Sequence, residues 1–333
     1  MGAMSFHEQV APDESERFER YAGELKQLQA ARARDGKLLR GLHAKAHLGA
    51  VGQLAVPDLP AQLRVGPFAA PRTWPLYARF SNGAPRVQHD GVPDVRGIAL
   101  KLVGVPGRKL IPGLEDRKTQ DFLFIQTPSV AFRSPDEFVA FVRIAARGQA
   151  LLLPRLIAAF GFSRAIMILR IIIKMPKVVS MAAARFYTAA PIRFGETAAK
   201  LALLPLAAAA DEREGSLRDD LVARLAAGAV EYSLRAQLFV DDAVTPIEDP
   251  SVTWPEEKSP FVELGRVTLP RQQVESARGH EIEALVERLS FDPWHALEEL
   301  RPLGAMMRAR APAYRESVMA RGAAPEPEDV LPL

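Results

Sequence analysis

Arg310 and Tyr314, in Arg310-Ala311-Pro312-Ala313-Tyr314, have the types and the spacing to do chemistry together. A tyrosine ligates haem iron only as phenolate, and its ordinary pKa of about 10 works against that near neutrality. A guanidinium four residues earlier lies one helical turn away, where its charge favours the ionised phenol. The same spacing also fits an ordinary half-buried tyrosine on a helix near the C-terminus. Pro312 removes an amide donor inside this turn, so the expectation is a helix that kinks or begins there. His43 is a second candidate, a proton carrier set among small and apolar neighbours in Arg40-Gly41-Leu42-His43-Ala44-Lys45. A structural histidine reads the same way. Further cations stand in Arg79-Phe80-Ser81-Asn82-Gly83 and Asp94-Val95-Arg96-Gly97, the latter also readable as a turn with an Asp/Arg ion pair.

These residues need elements to hold them. Residues 7–35 have helical periodicity and read as an N-terminal helix or arm. From Gly41, short apolar runs alternate with turn residues: AHLGAVGQLAV, LYARFSNGAP, VRGIALKLVGV and DFLFIQTP. That is the texture of β-strands joined by tight turns, with His43 where the first strand begins. Residues 134–229 read as helical and Ala/Leu-rich, strands return at Val230–Val240 and Phe261–Leu269, and Glu281–Arg321 is helical again. The expected class is α+β: an antiparallel sheet or barrel, a helical insertion and closing helices. The expected division is an arm over 1–36, a main domain over 37–322 and a loose, Pro- and acid-rich tail over 323–333. Residues 1–3 read as a cloning remnant ahead of Met4; no signal peptide follows, so the expected location is cytoplasmic.

The 333 residues are 48% apolar and 25% charged, the profile of a soluble globular chain. A net charge of +3, without a basic run interleaved with aromatics, gives no reason to expect nucleic acid as a partner. With no cysteine, disulfides, thiolate catalysis and iron–sulfur clusters are excluded. Residues 151–175 are apolar enough to suggest a membrane span, but Arg155, Arg164, Arg170 and Lys174 interrupt them. A buried helical hairpin is the leading expectation, and a basic amphipathic surface touching lipid, or a hydrophobic wall for an oily substrate, the next.

In order, these units resemble the catalase family. RGLHAKAHLGAVG resembles the segment that carries the distal histidine, YARFSNG the Arg-Phe-Ser strand, and DVRGIALKL the Asp-x-Arg-Gly-x-Ala-x-Lys strand. DFLFIQTPSVAFRSPDEFVAFV is similar to the stretch with the distal asparagine and the aromatics that flank haem. TWPEEKSPFVELGRVTL, Phe291-Asp292-Pro293 and Arg310-x-x-x-Tyr314 follow in the family's order.

The resemblance implies a minimal catalase-like antiparallel β-barrel that binds haem b, with Tyr314 as the axial ligand of the iron and Arg310 as its charge partner. It implies His43 as general acid–base, titrating near neutrality, and Ser81 as its orienting partner. Arg40, Arg79 and Arg321 are implied to hold the propionates, with Phe132 and Phe138 near the macrocycle. Two departures stand out. Gln126 is the amide offered where the family has asparagine, beside Ile125, and Val130 stands where the family tends to place a ring. The activity implied is a peroxidase or hydroperoxidase reducing hydrogen peroxide or organic and lipid hydroperoxides with an electron donor, with weak dismutation. Rearrangement of fatty-acid hydroperoxides, as in allene oxide synthase-type relatives, and a non-catalytic haem sensor are the alternatives. A homodimer is the implied assembly.

Overall fold

The computed structural model describes residues 6–31, 38–147, 151–207 and 216–333. Helix α1 (Glu14–Ala30) realises the N-terminal helix, while residues 1–3, expected to be a cloning remnant, and residues 32–36 of the expected arm lie outside the described residues. Four antiparallel strands follow: β1 (Ala46–Val56), β2 (Arg72–Asn82), β3 (Arg96–Val103) and β4 (Thr119–Ile125). Then come helices α2 (Pro135–Ala146), α3 (Leu152–Phe160) and α4 (Phe162–Ile173). Strands β5 (Phe186–Tyr187), β6 (Ile192–Phe194) and β7 (Thr197–Pro205), helix α5 (Leu217–Ala227), and strands β8 (Val230–Leu238) and β9 (Phe261–Leu269) complete the sheet. Helices α6 (Ala277–Arg288) and α7 (Ala305–Arg321) close the chain.

The sheet closes on itself. Strand β1 pairs with β2 and β9, and β5 bridges β4 and β7, so eight strands form a barrel with β6 as an outer hairpin partner of β7. Period-2 alternation decides which side chains fill it. Leu76, Ala78 and Phe80 of β2, with Ile98, Leu100, Phe122 and Phe124 of its neighbours, point into the interior core. The residues between them, including Arg79 and Ser81, point outward, where helices cover them. At the β1–β9 seam the chains approach so closely that a methyl group on Gly265 would stand 2.4 Å from the Ala55 carbonyl oxygen.

Four expectations need correction. The stretch 134–229 is not wholly helical, because it contains β5, β6 and β7. Strand β7 is buried along most of its length, so TAAKLALLP carries no polar/apolar alternation, and its Ala and Leu residues read as helix. The tail is not loose. Lys101 Nζ lies 2.6 Å from Glu326 and 2.7 Å from Asp121, all three buried, and Leu331 N donates to Tyr77 Oη at 2.9 Å. Burial pushes the Glu326 carboxyl up, but Lys101 and His295 outweigh it and hold it down to about 2.

Helix α7 does not begin at Pro312, which sits inside it. The proline costs one helical hydrogen bond, and the helix is held on both sides of it. Arg308 pairs with Glu8, Glu14 and Glu248, while Arg315 and Glu316 pair with Glu19 and Lys26 of α1. Finally, the apolar stretch at 151–173 is a helical hairpin but not a buried one: Leu151, Phe162 and Ile173 are 64%, 69% and 75% exposed. Gly161, at φ 78°, makes its turn.

Candidate active site

A cavity of 1410 Å³ lies against the outer face of β2–β4, larger than the roughly 300–1,000 Å³ of an ordinary ligand pocket. Strand register builds its floor. Ser81 pairs with Gly97 and Gly97 with Ile125; one step along, Arg79 pairs with Ala99 and Ala99 with Leu123. All six line the cavity. Helices α1, α2, α4 and α7, with the loops between elements, supply the remaining walls.

His43 enters from the loop three residues before β1, with φ 55°, a left-handed conformation uncommon for a residue with a side chain. Its backbone is pinned there: its N donates to Gly83 O at 3.1 Å and its O accepts from Arg79 Nη2 at 3.0 Å. Ser81 Oγ lies 2.9 Å from Nδ1. The ring lies over Gly97, where a Cβ would stand 2.8 Å from His43 Cε1. With Nδ1 engaged by Ser81, Nε2 is the ring nitrogen left for a ligand. Burial, then Arg79, Arg310 and Arg40, lower its pKa to about 3. This corrects the expectation of titration near neutrality: the imidazole is neutral at pH 7, and so in its basic form.

Tyr314 and Arg310 line the same cavity from α7. Arg310 Nη2 donates to Tyr314 Oη at 2.6 Å, and its guanidinium carbon lies 5.1 Å from the centre of the tyrosine ring. The phenol oxygen thus carries a fixed positive charge at hydrogen-bond distance.

Arg40, Arg79 and Arg321 converge at one edge, although they are far apart in sequence. Glu287 of α6 is the carboxylate among them, 2.9 Å from Arg79 Nε and 3.7 Å from Arg40 Nε. Burial and the charges of Arg79 and Arg321 push Arg40 well below the usual guanidinium range. Arg40 Nε and Arg321 Nε are buried without a hydrogen-bond partner. Three cations facing one carboxylate, with two donors unsatisfied, fit a ligand carrying two carboxylates. With the apolar walls and a tyrosine–arginine pair, this donor set fits haem.

Phe132 and Phe138 line the cavity and meet edge to face, their centroids 5.5 Å apart; Val130 lines it too. Gln126 does not. Its Oε1 accepts from Arg96 N at 2.9 Å and its Nε2 donates to Pro176 O at 2.9 Å, so both amide ends are spent on backbone. The reason is parity: neighbouring strand residues face opposite sides, and Ile125 is the one paired with Gly97 beside His43. The side chain offered to a ligand there is apolar.

Sequence reasoning gave no role to Gly97 or Glu287, and left open which of Ile125 and Gln126 faces His43. A glycine inside an apolar strand is a legible sign of close approach. Glu287, one acid on an amphipathic helix, gives no sign of its own.

No protein-family model matches the sequence, and no curated protein matches it. Solved structures do. A fungal catalase superposes on 96% of this chain and 66% of its own, with TM-score 0.70 and 17% identity. Catalase A from Saccharomyces cerevisiae covers 96% of this chain and 67% of its own at TM-score 0.68 and 16% identity. A bacterial catalase covers 90% and 60%, at TM-score 0.61 and 17% identity. The chain therefore spans about two thirds of the length of the catalases it matches. At so low an identity the likeness concerns backbone architecture, and the eight-stranded barrel with its helices gives this chain the catalase fold.

Proposed function

We propose that the chain is a haem-dependent hydroperoxidase that reduces hydrogen peroxide or organic hydroperoxides, lipid hydroperoxides included, at the expense of an electron donor. The observation that carries this reading is one cavity holding a histidine bonded to a serine, a tyrosine bonded to an arginine, and three converging guanidiniums with two unsatisfied donors.

Haem b, when bound, supplies the redox chemistry that reduces the peroxide O–O bond. Tyr314 would ligate its iron, with the positive charge of Arg310 held beside the phenol oxygen. Arg40 and Arg321, with Arg79, would take the propionates, and Phe132 and Phe138 would pack on the macrocycle. His43, neutral and oriented through Ser81, takes the proton from the incoming hydroperoxide and returns it to the leaving oxygen. Ile125 offers no hydrogen bond to a second peroxide, which favours reduction by a donor over dismutation. Its apolar surface suits an alkyl hydroperoxide.

The test is the absorption spectrum of protein purified from cells with ample haem, beside Tyr314→Phe and His43→Ala. A high-spin ferric tyrosinate spectrum lost in Tyr314→Phe supports the reading, as does a His43→Ala protein that keeps haem and loses donor-dependent hydroperoxide consumption. Colourless protein would sink it. Consumption of an organic hydroperoxide without a donor and without oxygen evolution would instead identify a rearranging enzyme.

A further inference from the structure

We infer that the α3–α4 hairpin is a docking surface for an anionic lipid bilayer, and that it presents the mouth of the cavity to that bilayer. Three observations carry this.

The first is unpartnered apolar surface concentrated on one small motif. Leu151, Leu153, Phe162, Met167, Ile171 and Ile173 are all among the exposed large hydrophobic residues of the described chain. They cluster within 23 residues, whereas monomeric proteins normally scatter such side chains singly.

The second is how cations are set among them. On α4, Phe162 and Ile173 stand eleven residues apart, three helical turns, and so share one edge. Met167 and Ile171, four apart, form the other edge. Arg170 and Lys174, both exposed and also four apart, lie between the two rows. Apolar side chains on both flanks of a basic row suit a helix lying in the interface plane. Its aliphatic edges enter the acyl boundary while the guanidinium and ammonium groups extend to the phosphates.

The third is charge over a longer range. From residue 138 to residue 195 the sequence has no aspartate or glutamate, yet it carries Arg143, Arg147, Arg155, Arg164, Arg170, Lys174, Lys177, Arg185 and Arg193. Arg164 is paired inward with Glu137 at 2.5 Å, and Arg143 with Glu24 at 2.6 Å. Arg170 and Lys174 remain on the outer face. A symmetric contact between two copies would bring this acid-free patch against itself and set like charges opposite one another. An anionic leaflet neutralises it instead. Among the described residues no helix is long and apolar enough to cross a membrane, so the contact is interfacial.

The geometry links this face to the cavity: Met167, Arg170, Ile171 and Lys174 also line it and, being exposed, stand where it meets solvent. A bilayer seated on α4 would therefore cover the mouth. The docking rests on the hairpin alone; only the corollary, that an acidic amphiphile with a hydroperoxide group passes from the leaflet into the cavity, rests on the function proposed above.

The experiment is co-sedimentation of the full chain with vesicles of phosphatidylglycerol mixed into phosphatidylcholine, against phosphatidylcholine alone. Binding is expected only with the anionic lipid. It should weaken with added salt and fall about five-fold for each cation neutralised in Arg170→Gln and Lys174→Gln. Phe162→Glu with Ile173→Glu, both at well-exposed positions, should abolish binding and leave haem content unchanged. In Phe162→Trp, added indole emission should shift to the blue on vesicles and be quenched by lipids brominated in the acyl chain. Failure to sediment with phosphatidylglycerol vesicles overturns the proposal, and so does binding that survives the double glutamate substitution. Conversion of a dimer to a monomer by that double substitution, read by analytical ultracentrifugation, would give the face to a second copy and likewise overturn it. None of these readouts requires haem, so a failure of the haem reading leaves the vesicle result standing, and the reverse.

Discussion

A methyl group on Gly97 would stand 2.8 Å from Cε1 of His43, and 3.0 Å from the Phe124 carbonyl oxygen. The imidazole thus occupies the space that any other residue on β3 would fill, and Ser81, the strand neighbour of Gly97, holds it there by Nδ1. The Phe124 backbone cannot give way, so the ring must move.

Gly97→Ala is therefore expected to fold, to bind haem and to lose hydroperoxide turnover. The loss should approach that of His43→Ala, on the order of 10²–10⁴-fold for a displaced general acid–base group. Steady-state kinetics with a donor check this, and near-wild-type activity would show that His43 is not the group at work.

Ile125 and Gln126 should respond in opposite ways. Ile125→Asn places an amide beside His43 and is expected to raise oxygen evolution from hydrogen peroxide several-fold relative to donor oxidation. Gln126→Ala strips partners from Arg96 N and Pro176 O, so it should cost about 1–3 kcal/mol in urea unfolding. It should leave the ratio of the two activities unchanged. If Gln126→Ala alters that ratio and Ile125→Asn does not, the strand register drawn here is wrong.

Arg321→Gln removes one of the two donors left unsatisfied at the edge of the cavity. A lost charge-assisted hydrogen bond to a carboxylate is worth about 1.5–3 kcal/mol, so haem should dissociate roughly ten- to a hundred-fold faster. Transfer of haem to an apo-globin acceptor measures it. The iron spectrum should stay that of the parent protein, since Tyr314 is untouched.

The pH profile follows from His43. Its folded pKa, about 3, lies below the ordinary 6.5, and burial is the largest cause. The basic form therefore persists as pH falls and is lost only on passing through the folded pKa. kcat/KM for hydroperoxide should be flat with respect to this group between pH 7 and 5. An acid limb centred near 6.5 that disappears in His43→Gln would contradict the assignment.

Some of this was legible because it is local. The Arg310–Tyr314 pair is a contact along one helix, so its spacing in the sequence already placed the guanidinium at the phenol, and α7 held despite Pro312 because ion pairs fasten it on both sides. Strands β1–β4 could be read from short apolar runs set between turn residues. Strand β7 could not, since TAAKLALLP is built largely of Ala and Leu, which read as helix. The tail misled for the opposite reason: its acid looked solvated until a buried lysine 225 residues away supplied the partner.

By itself, then, the sequence determined the periodic elements and the pair on one helical turn, both short-range consequences of backbone geometry. It also kept the order of motifs by which the fold was recognised. Tertiary structure alone decided which of Ile125 and Gln126 faces the cavity, because a strand alternates faces and only the register with Gly97 fixes the parity. It alone drew Arg40, Arg79, Arg321 and Glu287 to one edge, where their charges become a site. And it left Phe162, Met167, Ile171 and Ile173 of α4 outside, since Ala165 and Ile168 form the face of that helix that packs inward.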